Sequence, residues 1–215
     1  MIYIATKNRP LILLLIILIL SLGCRPSAAS EDWSRDPKAF VQHFADIGIS
    51  QILESDNPKT EKTEQFRQLF VEAFDIPAIG RFVLGRYWRQ TKEDQRTLFL
   101  GFFEDMIVYT WSRRFGQYDG QTLRLETNVP DGKNGALVTS SIIDKAGETF
   151  TISWRLRQRY QSLKIVDVII EGVSMAITYR QEYSSVIRRE NGIDGLIDEL
   201  SSQVTRLKET AAATN

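Results

Sequence analysis

The sequence is poor in the residues that carry covalent and metal chemistry. Its 215 residues include one cysteine, Cys24, and one histidine, His43. A single thiol excludes an intrachain disulfide, so stability in an oxidising compartment must come from packing alone. A Ser-His-acid arrangement would have to use His43, yet no Gly-x-Ser-x-Gly elbow exists to present a serine. His43 falls on a predicted helix whose only nearby residue at metal spacing is Asp46, and it reads as a polar-face residue. Cys-x-x-Cys, a glycine-rich phosphate loop and an acidic calcium loop are all missing. Asp167 and Glu171 share a predicted strand face about 13 Å apart, beyond the carboxylate separations that glycosidases use. They read instead as an acceptor for a neighbouring element and a support for the following turn. Lys plus Arg and Asp plus Glu each total 27, so bulk charge implies no nucleic-acid partner. These absences argue against an enzyme, and no cofactor is expected.

One long apolar run exists, from Leu11 to Leu20, preceded by Lys7 and Arg9. It is short for a bilayer span but matches the apolar region of an export signal. The expected division is a signal peptide over 1–29, a single domain over 30–208 and a frayed tail over 209–215. Two cleavage readings compete. Ser27-Ala28-Ala29 suits ordinary signal peptidase and gives a soluble chain, whereas Leu20-Ser21-Leu22-Gly23-Cys24 looks like a lipoprotein site that would anchor the chain at Cys24. The soluble form is favoured, because Ser21 stands where lipoprotein sites prefer Leu.

Beyond the leader, hydrophobic periodicity orders the chain. Asp36-Pro37 has helix-start chemistry, with Phe40, Phe44, Ile47 and Ile52 continuing at helical spacing despite Gly48. A second helix from about Thr60 places Phe66, Leu69, Phe70 and Phe74 on one side. A third runs from Asp75-Ile76-Pro77 to Trp88, and a long fourth is capped at Thr91 with Asp94 completing a box. The fourth carries too many apolar residues for one narrow stripe, so it is buried on more than one side or faces a core and something else apolar. After Gly116 the period becomes two. Four strands are expected, the third with Phe150, Ile152, Trp154 and Leu156 on one face and Thr151, Ser153, Arg155 and Arg157 on the other. At Glu171-Gly172 the last strand turns into a helix with Ser174 or Gly172 as its cap, and another helix follows from Asp194. This order predicts an α+β domain: a four-stranded antiparallel sheet with helices packed on one face.

The residues Glu171-Gly172-Val173-Ser174-Met175, Tyr183-Ser184-Ser185-Val186-Ile187 and Gly192-Ile193-Asp194-Gly195-Leu196 form a spaced C-terminal signature. Gly85-Arg86-Tyr87-Trp88, Thr91, Gln95, Phe99 and Phe103 extend it upstream. Together they resemble the MlaC ("toluene tolerance") family of periplasmic phospholipid carriers. The segment before Asp75 shows little matching motif, and a lipoprotein-like site is unexpected for a shuttle. The resemblance implies a fold with nuclear-transport-factor-2-like features and an apolar cavity for phospholipid tails. It also implies lipid exchange between an inner-membrane ABC transporter bearing an MCE-domain ring and an outer-membrane lipoprotein-porin complex. A hopanoid or other lipid is an alternative cargo, and a filled-core interaction module of the same fold is the rival from another class.

Aromatic and aliphatic residues are plentiful enough for either a solid core or a lined cavity. Under the carrier reading, alternation puts Phe150, Ile152 and Trp154 on the cavity side, with Val166, Val168 and Ile170 on the next strand. Phe99, Phe103 and Ile107 would face them from the long helix, with Val173, Met175 and Ile177 nearby. Arg86, Arg89, Arg155 and Arg157 are candidates for headgroup contact, because guanidinium offers phosphate paired donors. Alternatively they form a docking patch or solvated surface.

Overall fold

The computed structural model describes residues 34–114, 117–160, 162–190 and 192–213. The expected leader over 1–29, with Cys24, lies outside the described residues.

Two short helices begin the domain. Asp36 caps α1 (Pro37–Asp46) by accepting the Ala39 N–H at 2.7 Å, with proline in the first turn. The chain does not simply continue through Gly48: it widens into a π-helical turn, Ile47–Leu53. Helix α2 (Lys59–Ala73) follows, and Asp75 then caps α3 (Ile76–Leu84) through the Ala78 N–H. The sequence predicts that this third helix reaches Trp88, but it stops at Leu84. Gly85 adopts φ +54°, a left-handed conformation that glycine enters without strain, and a tighter 3₁₀ segment occupies Gly85–Gln90.

The cap of the long helix α4 (Glu93–Ser112) also differs from expectation by one residue. Lys92 takes the cap position, and Gln95 Oε1 accepts its N–H at 3.0 Å. Thr91 is instead buried, its hydroxyl donating to the Tyr87 carbonyl.

Five strands follow, not four: β1 (Thr122–Pro130), β2 (Gly135–Ile143), β3 (Thr149–Arg159), β4 (Ser162–Ile170) and the two-residue β5 (Val173–Ser174). They form an open sheet in sequence order, antiparallel throughout. The extra strand arises because Glu171 at φ +48° and Gly172 at φ +80° reverse the chain tightly enough for Val173 and Ser174 to pair back onto Ile170 and Ile169. The Glu171 carboxylate accepts the Thr151 N–H across the sheet, holding that turn.

Ser174 then caps α5 (Met175–Arg189), accepting the Ile177 N–H at 3.1 Å, and α6 (Ile193–Ala213) closes the domain beyond the expected end near Lys208.

Register sets the inner sheet face. Trp154 stands between Val138 and Val168, and Leu156 between Ala136 and Ile165. A bulge between Arg155 and Leu156 leaves Val166 as an extra residue on β4, which breaks strict alternation there. Helices α1 to α3 and α5 contact the sheet, while α4 packs chiefly against α6. The buried interior therefore has two parts. One, built by α2 to α6, centres on Phe99, Phe103, Val83 and Leu200; the other, between α1 and the sheet, centres on Val138, Trp154, Leu156 and Ile165.

Candidate functional site

Between these two cores the interior is hollow. A cavity of about 180 Å³ separates the sheet from the helices. Ile152, Trp154, Val166, Val168 and Ile170 border it from the sheet. Phe103 and Ile107 on α4 and Met175 on α5 face them.

Four other expected positions lie elsewhere. Phe99 is fully buried but stacks on Phe103 inside the helical core, with ring centroids 5.6 Å apart. Phe150 sits at the start of β3, where it is 43 % exposed. Val173, on β5, is exposed, and so is Ile177, because the inward face of α5 carries Ala176, Tyr179 and Tyr183 at helical spacing and Ile177 lies off it.

The lining that periodicity leaves unassigned includes a row of phenylalanines on α2 and at its C-terminal end. Phe66, Phe70 and Phe74, spaced by four, form one continuous ridge: Phe66 stacks on Phe70 at 6.2 Å and Phe70 meets Phe74 at 4.3 Å. Phe44 on α1 joins this ridge to the sheet, meeting Phe74 at 5.8 Å and Trp154 at 5.6 Å edge-on. Ile79, Trp111, Ala176 and Tyr179 complete the helical wall. The spacing of the three phenylalanines was visible in the sequence, but it marks only an inward face, which a solid core would need equally.

Two polar groups on the wall are spent on partners. The Trp154 indole donates to Ser140 Oγ at 2.9 Å, and the Ser140 hydroxyl donates onward to the Ile152 carbonyl. The ring can therefore face the cavity with no unpaired N–H. Among the described residues, Asp167 is the one charged residue of the lining, and its carboxylate receives three donors. It accepts the Ala176 N–H at 3.0 Å, the Ser174 hydroxyl at 2.6 Å and Arg155 Nη1 at 2.9 Å. A carboxylate at a helix N-terminus meets both orphan amides and the positive end of the dipole, so this group fastens α5 to the sheet. Burial holds the Tyr179 phenol above its ordinary pKa, and that of Tyr183, behind it, further still. The Tyr183 hydroxyl is buried and finds no hydrogen-bond partner among the described residues.

The four expected arginines divide into two pairs. Arg155 and Arg157 lie on the opposite sheet face, where both donate to Asp131 Oδ2, at 3.1 and 2.8 Å. The hydrogen bond from Arg157, with the two guanidinium charges, holds the Asp131 carboxyl below its ordinary pKa. Arg86 and Arg89 instead border a shallow depression on the outer side of α3 and α5. Arg86 Nη2 donates to Tyr87 Oη at 2.9 Å, which lowers the pKa of that phenol. Among the described residues, no group of three or more His, Cys, Asp or Glu could hold a metal ion, and no helix is long and apolar enough to cross a membrane.

The fold itself is shared with a protein of known structure. The phospholipid-binding protein of Ralstonia solanacearum, solved in complex with a phospholipid, superposes with a TM-score of 0.74 at 20 % identity, covering 80 % of this chain and 99 % of that one. The intermembrane phospholipid transport system binding protein MlaC of Haemophilus influenzae is 23 % identical over 179 residues, 79 % of this chain and 83 % of its own. The family model for the MlaC protein matches residues 43–202, which reaches well upstream of Asp75, where motifs alone are sparse. Spanning most of the chain, that match establishes that this protein belongs to the MlaC family.

Proposed function

We propose that this protein is a periplasmic lipid carrier that encloses phospholipid acyl chains in the cavity and passes lipid between an inner-membrane ABC complex with an MCE-domain ring and an outer-membrane lipoprotein-porin complex. The observation that carries this reading is the cavity wall: among the described residues it is aromatic and aliphatic apart from Asp167, whose carboxylate is already satisfied by three donors. Such a space offers nothing to a polar substrate, and burying an unpaired phosphate there would be costly. Hydrocarbon gains about 0.8 kcal/mol per buried methylene, so two acyl chains are worth on the order of 20 kcal/mol in transfer from water. The family and its phospholipid-binding relatives agree with that cargo.

Volume adds a mechanical requirement. About 180 Å³ falls below the roughly 300–1,000 Å³ of ordinary ligand pockets, so loading must widen the cavity. The sheet is a continuous hydrogen-bonded ladder, whereas α5 is tied to it through the Asp167 cluster and the short β5 pairing. Outward movement of the helical wall is therefore the cheaper route, with the headgroup left at the surface. No covalent step is involved; transfer follows differences in affinity among partners, with ATP used by the transporter. Arg155 and Arg157, already held by Asp131 and Asp167, serve the sheet rather than a headgroup.

Organic extraction of the purified protein followed by lipid mass spectrometry tests the proposal. Stoichiometric phospholipid is expected. A stoichiometric triterpenoid would replace the cargo assignment, and a protein that yields no lipid even after incubation with phospholipid would leave only an interaction module.

A further inference from the structure

The outer side of the α3–α5 pair bears a feature that cargo enclosure does not use. Ile79, Ala176 and Tyr179 face the cavity from these helices, and their opposite sides carry Arg81, Phe82, Ile177, Arg180 and Arg188, joined by Arg86 and Arg89 from the 3₁₀ segment. The five arginines are exposed, and among the described residues no carboxylate lines either of the two adjoining depressions they border. In a chain of zero net charge, such a one-sign cluster is a local field rather than a reflection of composition. Amid the cations, Phe82 and Ile177 are 42 % and 47 % exposed. The Arg180 guanidinium lies over the Phe82 ring, 5.0 Å from its centroid, which keeps that charge at the surface beside an apolar face.

We infer that this surface docks the protein onto an anionic, phosphate-bearing lipid surface. Guanidinium groups bind phosphate with paired donors, and a bilayer interface supplies both the phosphates for the arginines and the apolar boundary for Phe82 and Ile177. An acidic protein would match the charges but would need a separate apolar pocket for each exposed side chain. Docking of this kind sets the bilayer against the outside of the helix pair whose inside walls the cavity. The inference is independent of the cargo assignment, since it needs only surface arginines and phosphates.

Co-sedimentation with vesicles tests it, comparing phosphatidylcholine mixed with phosphatidylglycerol against phosphatidylcholine alone. Each arginine near such a surface contributes about fivefold in partitioning, so Arg81→Glu with Arg180→Glu should weaken binding to the anionic vesicles by more than about twenty-five-fold. Arg81→Lys with Arg180→Lys should retain most of it, and raised salt should abolish it. Should the glutamate variant fold poorly, Arg86→Gln with Arg89→Gln gives the same direction by removing charge alone. Equal binding to both vesicle types, no binding to either, or indifference to charge reversal overturns the inference. So does binding to polyglutamate, lost on charge reversal, by a protein that ignores anionic vesicles, which would assign the surface to an acidic protein. Val168→Asp, made to empty the cavity, should dock as the parent does, so loss of cargo and loss of docking are read separately.

Discussion

Asp167 offers the most direct test of how the cavity is held shut. Its carboxylate is 5 % exposed and receives three donors, from Ala176, Ser174 and Arg155. Removing one partner of a buried ion pair usually costs about 3–5 kcal/mol, because a charge is left stranded. Arg155 is not stranded here: its side chain is 31 % exposed and keeps Asp131 at 3.1 Å. The Ser174 hydroxyl likewise keeps its capping role with Ile177. What remains is the orphaned Ala176 amide, two lost charge-assisted bonds partly replaced by water, and the interaction with the α5 dipole. Those sum to about 2–4 kcal/mol for Asp167→Ala. In a domain of this size the melting temperature should fall by about 5–12 °C. Asp167→Asn keeps one acceptor oxygen and should lose about half as much. The measurement is thermal or urea unfolding of lipid-stripped protein, since bound ligand would add its own stabilisation. Because Met175 and Ala176 border the cavity, the alanine variant should also release a fluorescent phospholipid faster. A loss below about 1 kcal/mol, or an asparagine variant as damaged as the alanine one, would refute the view that this carboxylate fastens α5 to the sheet.

Other substitutions probe neighbouring claims. Val168→Asp or Ile152→Asp puts a charge on the cavity wall and should abolish co-purified lipid; a folded variant that still holds lipid would reject the wall assignment. Tyr183→Phe removes a buried hydroxyl that has no partner among the described residues, so unfolding free energy should stay level or rise by about 1 kcal/mol, and a clear loss would mean that the hydroxyl is bonded. Gly85→Ala forces a side chain into φ +54°, with its Cβ 3.0 Å from the Arg180 guanidinium, and should cost about 1–3 kcal/mol in urea unfolding. Asp131 has a folded pKa below its unfolded one, so its contribution is complete above the unfolded value near pH 4 and is lost as pH falls through the folded value. Asp131→Asn should therefore be less stable than the parent at neutral pH, with the gap closing under strong acid; a gap that does not change with pH would show that the arginine bonds do not depend on its charge.

Much of this architecture can be read from the residues, and the limits of that reading are physical. Alternation along β3 places Ile152 and Trp154 inward because side chains on a strand have a period of two. The same rule extends to Phe150, but alternation reports only the face of the sheet, not where along the strand the covering helices end. On β4 the bulge at Val166 brings three consecutive residues to the cavity, which no periodic rule anticipates. The pairing of Val173 with Ile170 depends on two left-handed residues, Glu171 and Gly172, and a two-residue strand has no period to detect. For α2, the phenylalanine spacing shows an inward face, and whether the space beyond is filled depends on partners distant in sequence. Arg81, Arg180 and Arg188 come together only when α3 and α5 pack, so their clustering is invisible in any local window.

The indole of Trp154 spends its single donor on Ser140, behind the wall, so the surface it presents inward is carbon alone. Contacts of that sort have no preferred direction and recognise neither the position of a double bond nor the identity of a chain terminus. Under the proposed carrier function, sorting among cargoes then rests on bulk and on whatever protrudes, and a mixed population of tails should be accepted in proportion to supply.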